Sequence, residues 1–221
     1  MTLSLIIPSR NRPELLRNAL IGFRETDIEI IVIANSCPDT YAVALEEGAD
    51  IVIQNPRPVN PVISVNKGLK LAKGEMLMGG SDDLQPQEGW LSSALEAHQE
   101  QLDGYGMVCL NDLMHDGNSV DIEVGLVMFD RRFCIDHLGG CLVVPHYHHL
   151  FADKEAILRA KRVNKFHWCQ GAIVKHLHSA NKTRSPDSLD TQRVTWWKID
   201  EAIFLQREAM GFPDDFEPVI V

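Results

Sequence analysis

The sequence predicts an α/β fold in which a mostly parallel central sheet is flanked by helices. Short β-branched apolar runs alternate with segments of helical spacing, and the connections between them are short. That alternation builds right-handed βαβ units, and ligands in such sheets bind beyond the carboxyl ends of the strands. Three strand ends carry polar turns, Ser9–Arg12, Asn35–Asp39 and Ser81–Asp83, so one crevice is expected to collect all three.

Each element has a local cause. Leu3-Ser4-Leu5-Ile6-Ile7 is a β-rich run stopped by Pro8, which cannot donate to a ladder. Pro13 suits a first helical turn, and Glu14–Leu20 continues with helical spacing. Glu29–Ala34 reads as a second buried strand and Tyr41–Glu47 as a helix closed by Gly48. Asp50–Gln54 is a third strand, followed by a Pro-rich loop from Asn55 to Pro61. A helix over Val62–Lys73, with Gly74 as its cap, leads into the strand Glu75–Met78. Trp90–Gln101 has an amphipathic pattern. The second half is less regular, with strands expected at Met107–Leu110 and Val124–Phe129 and a helix at Lys154–Lys161.

Composition narrows the class. A chain of 221 residues, 45% hydrophobic and 24% charged, buries a full core. It has neither an apolar run of membrane-spanning length nor a leader pattern. Its five cysteines are odd in number and form no CxxC pair, which implies free thiols and a soluble, cytoplasmic protein. The net charge of -10 argues against broad adhesion to nucleic acid or anionic membrane.

The chemistry concentrates at Gly79-Gly80-Ser81-Asp82-Asp83-Leu84-Gln85-Pro86. Two adjacent carboxylates at a strand end suit a hard divalent cation, and a cation there suits a diphosphate. Late in the chain, Lys175-His176-Leu177-His178 follows Ile173-Val174, and a His-x-His on a strand puts both imidazoles on one face.

Leu5–Leu16, the spacing of Asn66, Gly68, Ala72 and Gly74, and the Asp pair together resemble family 2 glycosyltransferases of the GT-A fold. The resemblance covers about the first hundred residues well and the rest loosely. It implies one domain over 1–221, with 1–105 binding a nucleotide sugar and 106–221 binding the acceptor and completing a metal site. Pro8, Ser9, Arg10 and Arg12 would line the nucleotide pocket together with Ser81 and Asp82. Asn35 falls where the family carries an acidic residue that reads base and ribose, and Lys67 is a candidate diphosphate neighbour. The family's Asp-x-Asp motif becomes Gly80-Ser81-Asp82 here, so Asp82 would ligate Mn2+ or Mg2+ directly and Asp83 would stand behind it. His178, with His176 as its partner, would complete the shell. Asp153, or Glu155 in its place, would be the base of an inverting enzyme, and a retaining outcome stays open because His-completed sites also occur in retaining GT-A enzymes.

These readings imply a metal-dependent transferase moving a sugar from a nucleotide-diphosphate donor, a UDP-sugar favoured, to an acceptor hydroxyl. The acceptor is open between a saccharide, a metabolite, a protein and a modified DNA base, the last resting on a basic group of Arg131, Arg132, Lys161, Arg162 and Lys165. The alternatives are an inactive GT-A-like nucleotide-sugar-binding module and a nucleotidyltransferase, although Pro8-Ser9-Arg10-Asn11 lacks the latter's Gly-rich loop. Cys134, His137, Cys141, His146, His148 and His149 offer zinc donors at spacings that match no standard module. Asp214–Glu217 reads as a solvated tail.

Overall fold

The computed structural model of the protein describes residues 1–24, 27–114, 124–179 and 182–220. The first part runs β1 (Leu3–Ser9), α1 (Pro13–Phe23), β2 (Glu29–Asn35), α2 (Pro38–Glu46), β3 (Ile51–Asn55), α3 (Pro61–Leu69) and β4 (Met76–Gly79). Pro13, Pro38 and Pro61 each open a helix, where a fixed φ helps and the missing N–H costs nothing. Asn60 also caps α3 by accepting the Ile63 amide. β5 (Leu84–Pro86), α4 (Trp90–Leu102), β6 (Met107–Asn111), β7 (Val127–Asp130), α5 (Arg131–His137), α6 (Ala152–Arg162), β8 (Phe166–His176) and α7 (Ser188–Ala209) follow.

The eight strands are ordered β3-β2-β1-β4-β7-β6-β8-β5. β1 pairs in parallel with β2 and β4, and β3 with β2. Both faces of this block are covered, so its strands are apolar throughout. Leu3, Leu5 and Ile7 pack with Leu16, Leu20, Phe23 and Trp90 on one face, while Ile6 packs with Val65, Leu69 and Phe133 on the other. Phe23 and Trp90 meet edge to face with centroids 5.6 Å apart, an arrangement that adds about 0.5–1.5 kcal/mol beyond area burial.

The expected mostly parallel sheet is in fact mixed. β7 runs antiparallel between β4 and β6, and β5 runs antiparallel to β8. β7 begins at Val127, later than the expected Val124, and ends at Asp130, which accepts the Phe133 amide and turns the chain straight into α5. α3 ends at Leu69, short of the expected Lys73, and Gly74 is not its cap. Gly74 instead donates to Ser4 Oγ at 2.7 Å, where a Cβ would sit 2.6 Å from the Ser4 amide. β5 escaped notice because it carries Pro86, which an edge strand tolerates.

The largest difference lies at the C-terminus. α7 is a helix of 22 residues, opened by a capping box between Asp187 and Asp190. Its far end is fastened by Arg207, whose Nε and Nη2 donate to the two oxygens of Glu155 at 2.9 and 3.0 Å. Tyr147 donates its hydroxyl to the same carboxylate at 2.7 Å. Glu155 is fully buried in this joint, so it anchors α7 and does not stand open to an acceptor. The Asp214–Glu217 run is docked as well: Asp215 takes Arg207 and His146, and Asp214 takes Arg159. Replacing Arg207 by Met would strand a buried carboxylate, at a cost of about 3–5 kcal/mol. Urea unfolding should show that loss; a change below ~1 kcal/mol would remove the joint from the account.

Candidate functional site

A cleft of about 300 Å³ opens beyond the carboxyl ends of β1, β2 and β4. Pro8, Ser9, Arg10, Arg12, Asn35 and Ser81–Asp83 all line it, as do His176 and His178. One wall is apolar, with Val59, Pro61, Val62 and Val65 facing Leu142 and Val143. The remaining side is the start of α7 and the turn before it, contributing Arg184, Leu189, Asp190, Gln192, Arg193 and Trp196.

The two carboxylates of the motif differ in environment. Asp82 turns inward, its Oδ2 accepting the Ser9 hydroxyl at 2.7 Å and its Oδ1 the Arg12 Nη1 at 3.2 Å. Burial, then repulsion from Asp83, pushes its carboxyl up to about 6 despite those partners. Asp83 faces the late histidines. β5 and β8 pair with Leu84 opposite His176, and the Leu177 amide donates to the Asp83 carbonyl at 2.8 Å. That register sets His176 Nε2 3.2 Å from Asp83 Oδ1. Burial alone would raise the Asp83 carboxyl, but the bond from His176, the Ser81 hydroxyl and the Arg12 charge outweigh it and bring it down to about 2.

This geometry revises the expected ligand order. Asp83 and His176 come together, whereas Asp82 is tied to Ser9 and Arg12, and His178 Nε2 lies against Arg193 Nη1. An oxygen and a nitrogen 3.2 Å apart match two adjacent ligands on one divalent ion. Ions such as Mg2+ take one or two protein ligands and complete their shell with substrate phosphates and water. Asp83 and His176 therefore fit as the protein's share of such a site. Among the described residues no cluster of three or more His, Cys, Asp or Glu side chains forms a closed metal cage.

Asn35 lines the cleft with its side-chain polar atoms already bonded, and Lys67 is not among the cleft residues. Asn35 Nδ2 donates to the Val59 carbonyl at 2.6 Å and its Oδ1 accepts the Val59 amide at 3.0 Å, which clips the Pro-rich loop to β2. Lys67 Nζ donates to Asn55 Oδ1 at 2.7 Å. Gly79 and Gly80 serve packing: a Cβ there would lie 2.6 Å from Leu142 Cδ2 and 2.7 Å from Leu5 Cδ1.

The zinc alternative dissolves. Cys134 Sγ donates to the Cys141 carbonyl, His146 pairs with Asp215, and His148 Nδ1 bonds Asp200 at 2.9 Å. The fully buried Asp200 also accepts the amides of His148, His149 and Leu150, which pins that loop against α7. The basic group is dispersed too: Arg131 bonds the Ala72 and Gly74 carbonyls, while Lys161 and Arg162 lie over Phe166 and Phe212. Asp153, at the start of α6, accepts the Gly125 amide at 3.1 Å and is not among the cleft residues. Burial raises its carboxyl.

Sequence reasoning missed Arg184, Asp187 and Arg193 because it missed α7. Pro186-Asp187-Ser188-Leu189-Asp190 held the signal, a capping residue followed three positions later by an acid. Arg12 Nε and Nη2 grip Asp187 at 2.7 and 3.0 Å, and Arg184 grips Asp190 at 2.8 and 3.0 Å. Together with Asp82 and Asp83 these groups close a ring of charge around the cation pair.

The family model described as Glycosyl transferase family 2 matches residues 4–135, and the chain belongs to that family. Its fold is that of GT-A glycosyltransferases. A mannosyltransferase from Pyrobaculum calidifontis, solved with GDP-Man and Mn2+, superposes with TM-score 0.70 at 16% identity over 98% of this chain and 65% of that one. Glucosyl-3-phosphoglycerate synthase from Mycobacterium tuberculosis, solved with Mn2+, UDP and glucosyl-3-phosphoglycerate, gives 0.65 at 16% identity over 97% and 81%. TarS from S. aureus gives 0.65 at 14% identity over 79% of this chain but only 36% of its own. No curated protein matches the chain in sequence. Among the described residues no helix is long and apolar enough to cross a membrane.

His149 supplies a pH test. His149 is an exposed residue, yet the protein around its ring, with Arg193 nearby, pushes its pKa from 6.5 down to about 4. The unfolded chain therefore takes up a proton that the folded chain refuses between those values. Stability should be undiminished by this group above pH 6.5 and fall as pH drops toward 4. Melting curves of His149→Gln should fall less steeply across that window; an identical slope would contradict the assignment.

Proposed function

We propose that the chain transfers a sugar from a nucleoside-diphosphate sugar to an acceptor hydroxyl, using a divalent cation, Mn2+ or Mg2+. The observation that carries this reading is the Asp83–His176 pair, 3.2 Å apart, in a cleft that also presents Arg10, Arg12, Arg184 and Arg193. The family membership and the neighbours solved with Mn2+ and GDP-Man or UDP support it. A UDP-sugar is the donor we favour, and the cytoplasm the compartment.

Asp83 and His176 would hold the cation, which when bound screens the negative charge growing on the departing diphosphate. The chain's own groups do the rest. Ser9 and Arg12 fix the Asp82 carboxylate behind Asp83, and Ser81 donates to Asp83 Oδ1, so the cation pair is oriented before the donor arrives. The apolar wall from Val59 to Val65 gives the nucleoside a dry face. Arginine forks match phosphate oxygens two at a time. Asp153 is our candidate base for the acceptor hydroxyl: it heads the helix of the acceptor half and burial raises its carboxyl, but it lies outside the cleft on the Gly125 amide, so the role requires the acceptor to bring its hydroxyl there. One base acting opposite the leaving group gives inversion in a single displacement.

A panel of nucleotide sugars, assayed for Mn2+-dependent hydrolysis, tests the reading directly. One donor should be turned over, and Asp83→Ala should lower the rate by roughly 10²–10³ while removing Mn2+-dependent thermal stabilisation. Stabilisation by a nucleotide sugar with no turnover of any donor would favour the binding-module alternative. Asp153→Asn should cut transfer to an accepted hydroxyl by about 10²–10⁴ and leave donor affinity unchanged. Unimpaired transfer would take the base role from Asp153.

A further inference from the structure

The ring of charge over the cation pair mimics the loaded site. Arg12 reaches Asp83 Oδ2 at 3.4 Å and Arg184 reaches it at 3.5 Å, each a positive group beside the ligand a cation would use. On their other sides the same guanidiniums are forked onto Asp187 and Asp190, as they would be onto phosphate oxygens. A divalent cation and the diphosphate of a nucleotide sugar carry equal and opposite charge, so their joint entry leaves the total charge of the site unchanged. The ring is also imperfect: the Nε–H of Arg184 is buried and faces Asp83 Oδ2 at 3.5 Å, an ion pair without hydrogen-bond geometry. A phosphate oxygen is an acceptor free to align with it.

We infer that Asp187 and Asp190 are built-in diphosphate mimics that set the affinity for the donor by occupying the guanidiniums it needs. The inference rests on the proposed function and deepens it. Donor entry is then an exchange in which the diphosphate displaces two carboxylates of the strap before and within the first turn of α7. The strap's own chemistry lets this be tested cleanly. Asp187 caps α7 by accepting the Leu189 and Asp190 amides, and Asp190 accepts the Asp187 amide. Asn accepts such bonds as well as Asp does, so Asp187→Asn and Asp190→Asn remove the negative charge and keep the cap.

The experiment is calorimetric titration of UDP and of inorganic pyrophosphate, each with Mn2+, into wild type, Asp187→Asn and Asp190→Asn. Trp196, which lines the cleft on α7, gives a parallel fluorescence signal. Freeing one guanidinium fork for phosphate should tighten both probes by about tenfold in each variant, with the gain shrinking at high salt. A strap that is only structural would give unchanged or weaker binding together with a lower melting temperature, and that outcome overturns the inference while leaving the proposed function standing. Binding of neither probe to wild type or variants would sink both.

Discussion

The site is organised by one guanidinium. Arg12 leaves the end of β1 and reaches four carboxylates, Asp82 and Asp83 on one side and Asp187 and Asp190 on the other. Its charge is largely buried and its own burial opposes ionisation, but these partners outweigh that penalty and hold it well above the ordinary arginine range. A buried charge of this kind is tolerated only when it is fully paired. The two adjacent aspartates, otherwise mutually repulsive, are compatible because Arg12 stands between them and α7. That contact draws the start of α7 against the turn after β4.

This arrangement explains why neighbouring carboxylates serve different ends. Asp82 and Asp83 sit in the turn between β4 and β5, where Asp82 turns to Ser9 and Asp83 to β8. The first is held back as a support whose proton binding is eased by burial. The second is ionised and lies beside an imidazole. A pair at one strand end thus separates into an orienting group and a cation-facing group, and the separation is set by backbone register.

The first hundred residues were legible because their strands are buried on both faces and their helices open on proline. Pro13 marked a helix start as expected, whereas α2 opens at Pro38, before the expected Tyr41, and α3 at Pro61, before the expected Val62. The convergence of Pro8–Arg12 and Ser81–Asp83 on one cleft followed from strand order. What could not be read is what pairing decides. Nothing in the sequence around Leu84 says that it will sit opposite His176, yet that register is what brings Asp83 and His176 together. Asn35 was placed at the strand end, but its two polar atoms are spent on the Val59 backbone. α7 lacks a clean apolar stripe: Val194, Trp197 and Leu205 are exposed, while Asp200 and Arg207 are buried on partners far away in sequence. Its polar residues are inside because they bond His148 and Glu155, which periodicity does not reveal.

The same logic accounts for the closed appearance of the cleft. Asp200 pins the 148–150 loop and Arg207 pins the end of α7, so the helix is fixed at its middle and far end. Its beginning is held by the ion pairs of Arg12 and Arg184 with Asp187 and Asp190 and by the contact of Arg193 with His178, all at the cleft. Anomalous diffraction from crystals grown with Mn2+ and UDP tests the central assignment most directly. The account predicts a metal peak about 2.0–2.3 Å from both a carboxylate oxygen of Asp83 and Nε2 of His176, with Arg12 withdrawn from Asp83. A peak ligated by Asp82 with His176 turned away, or nucleotide bound with Arg12 still on Asp83, would contradict it.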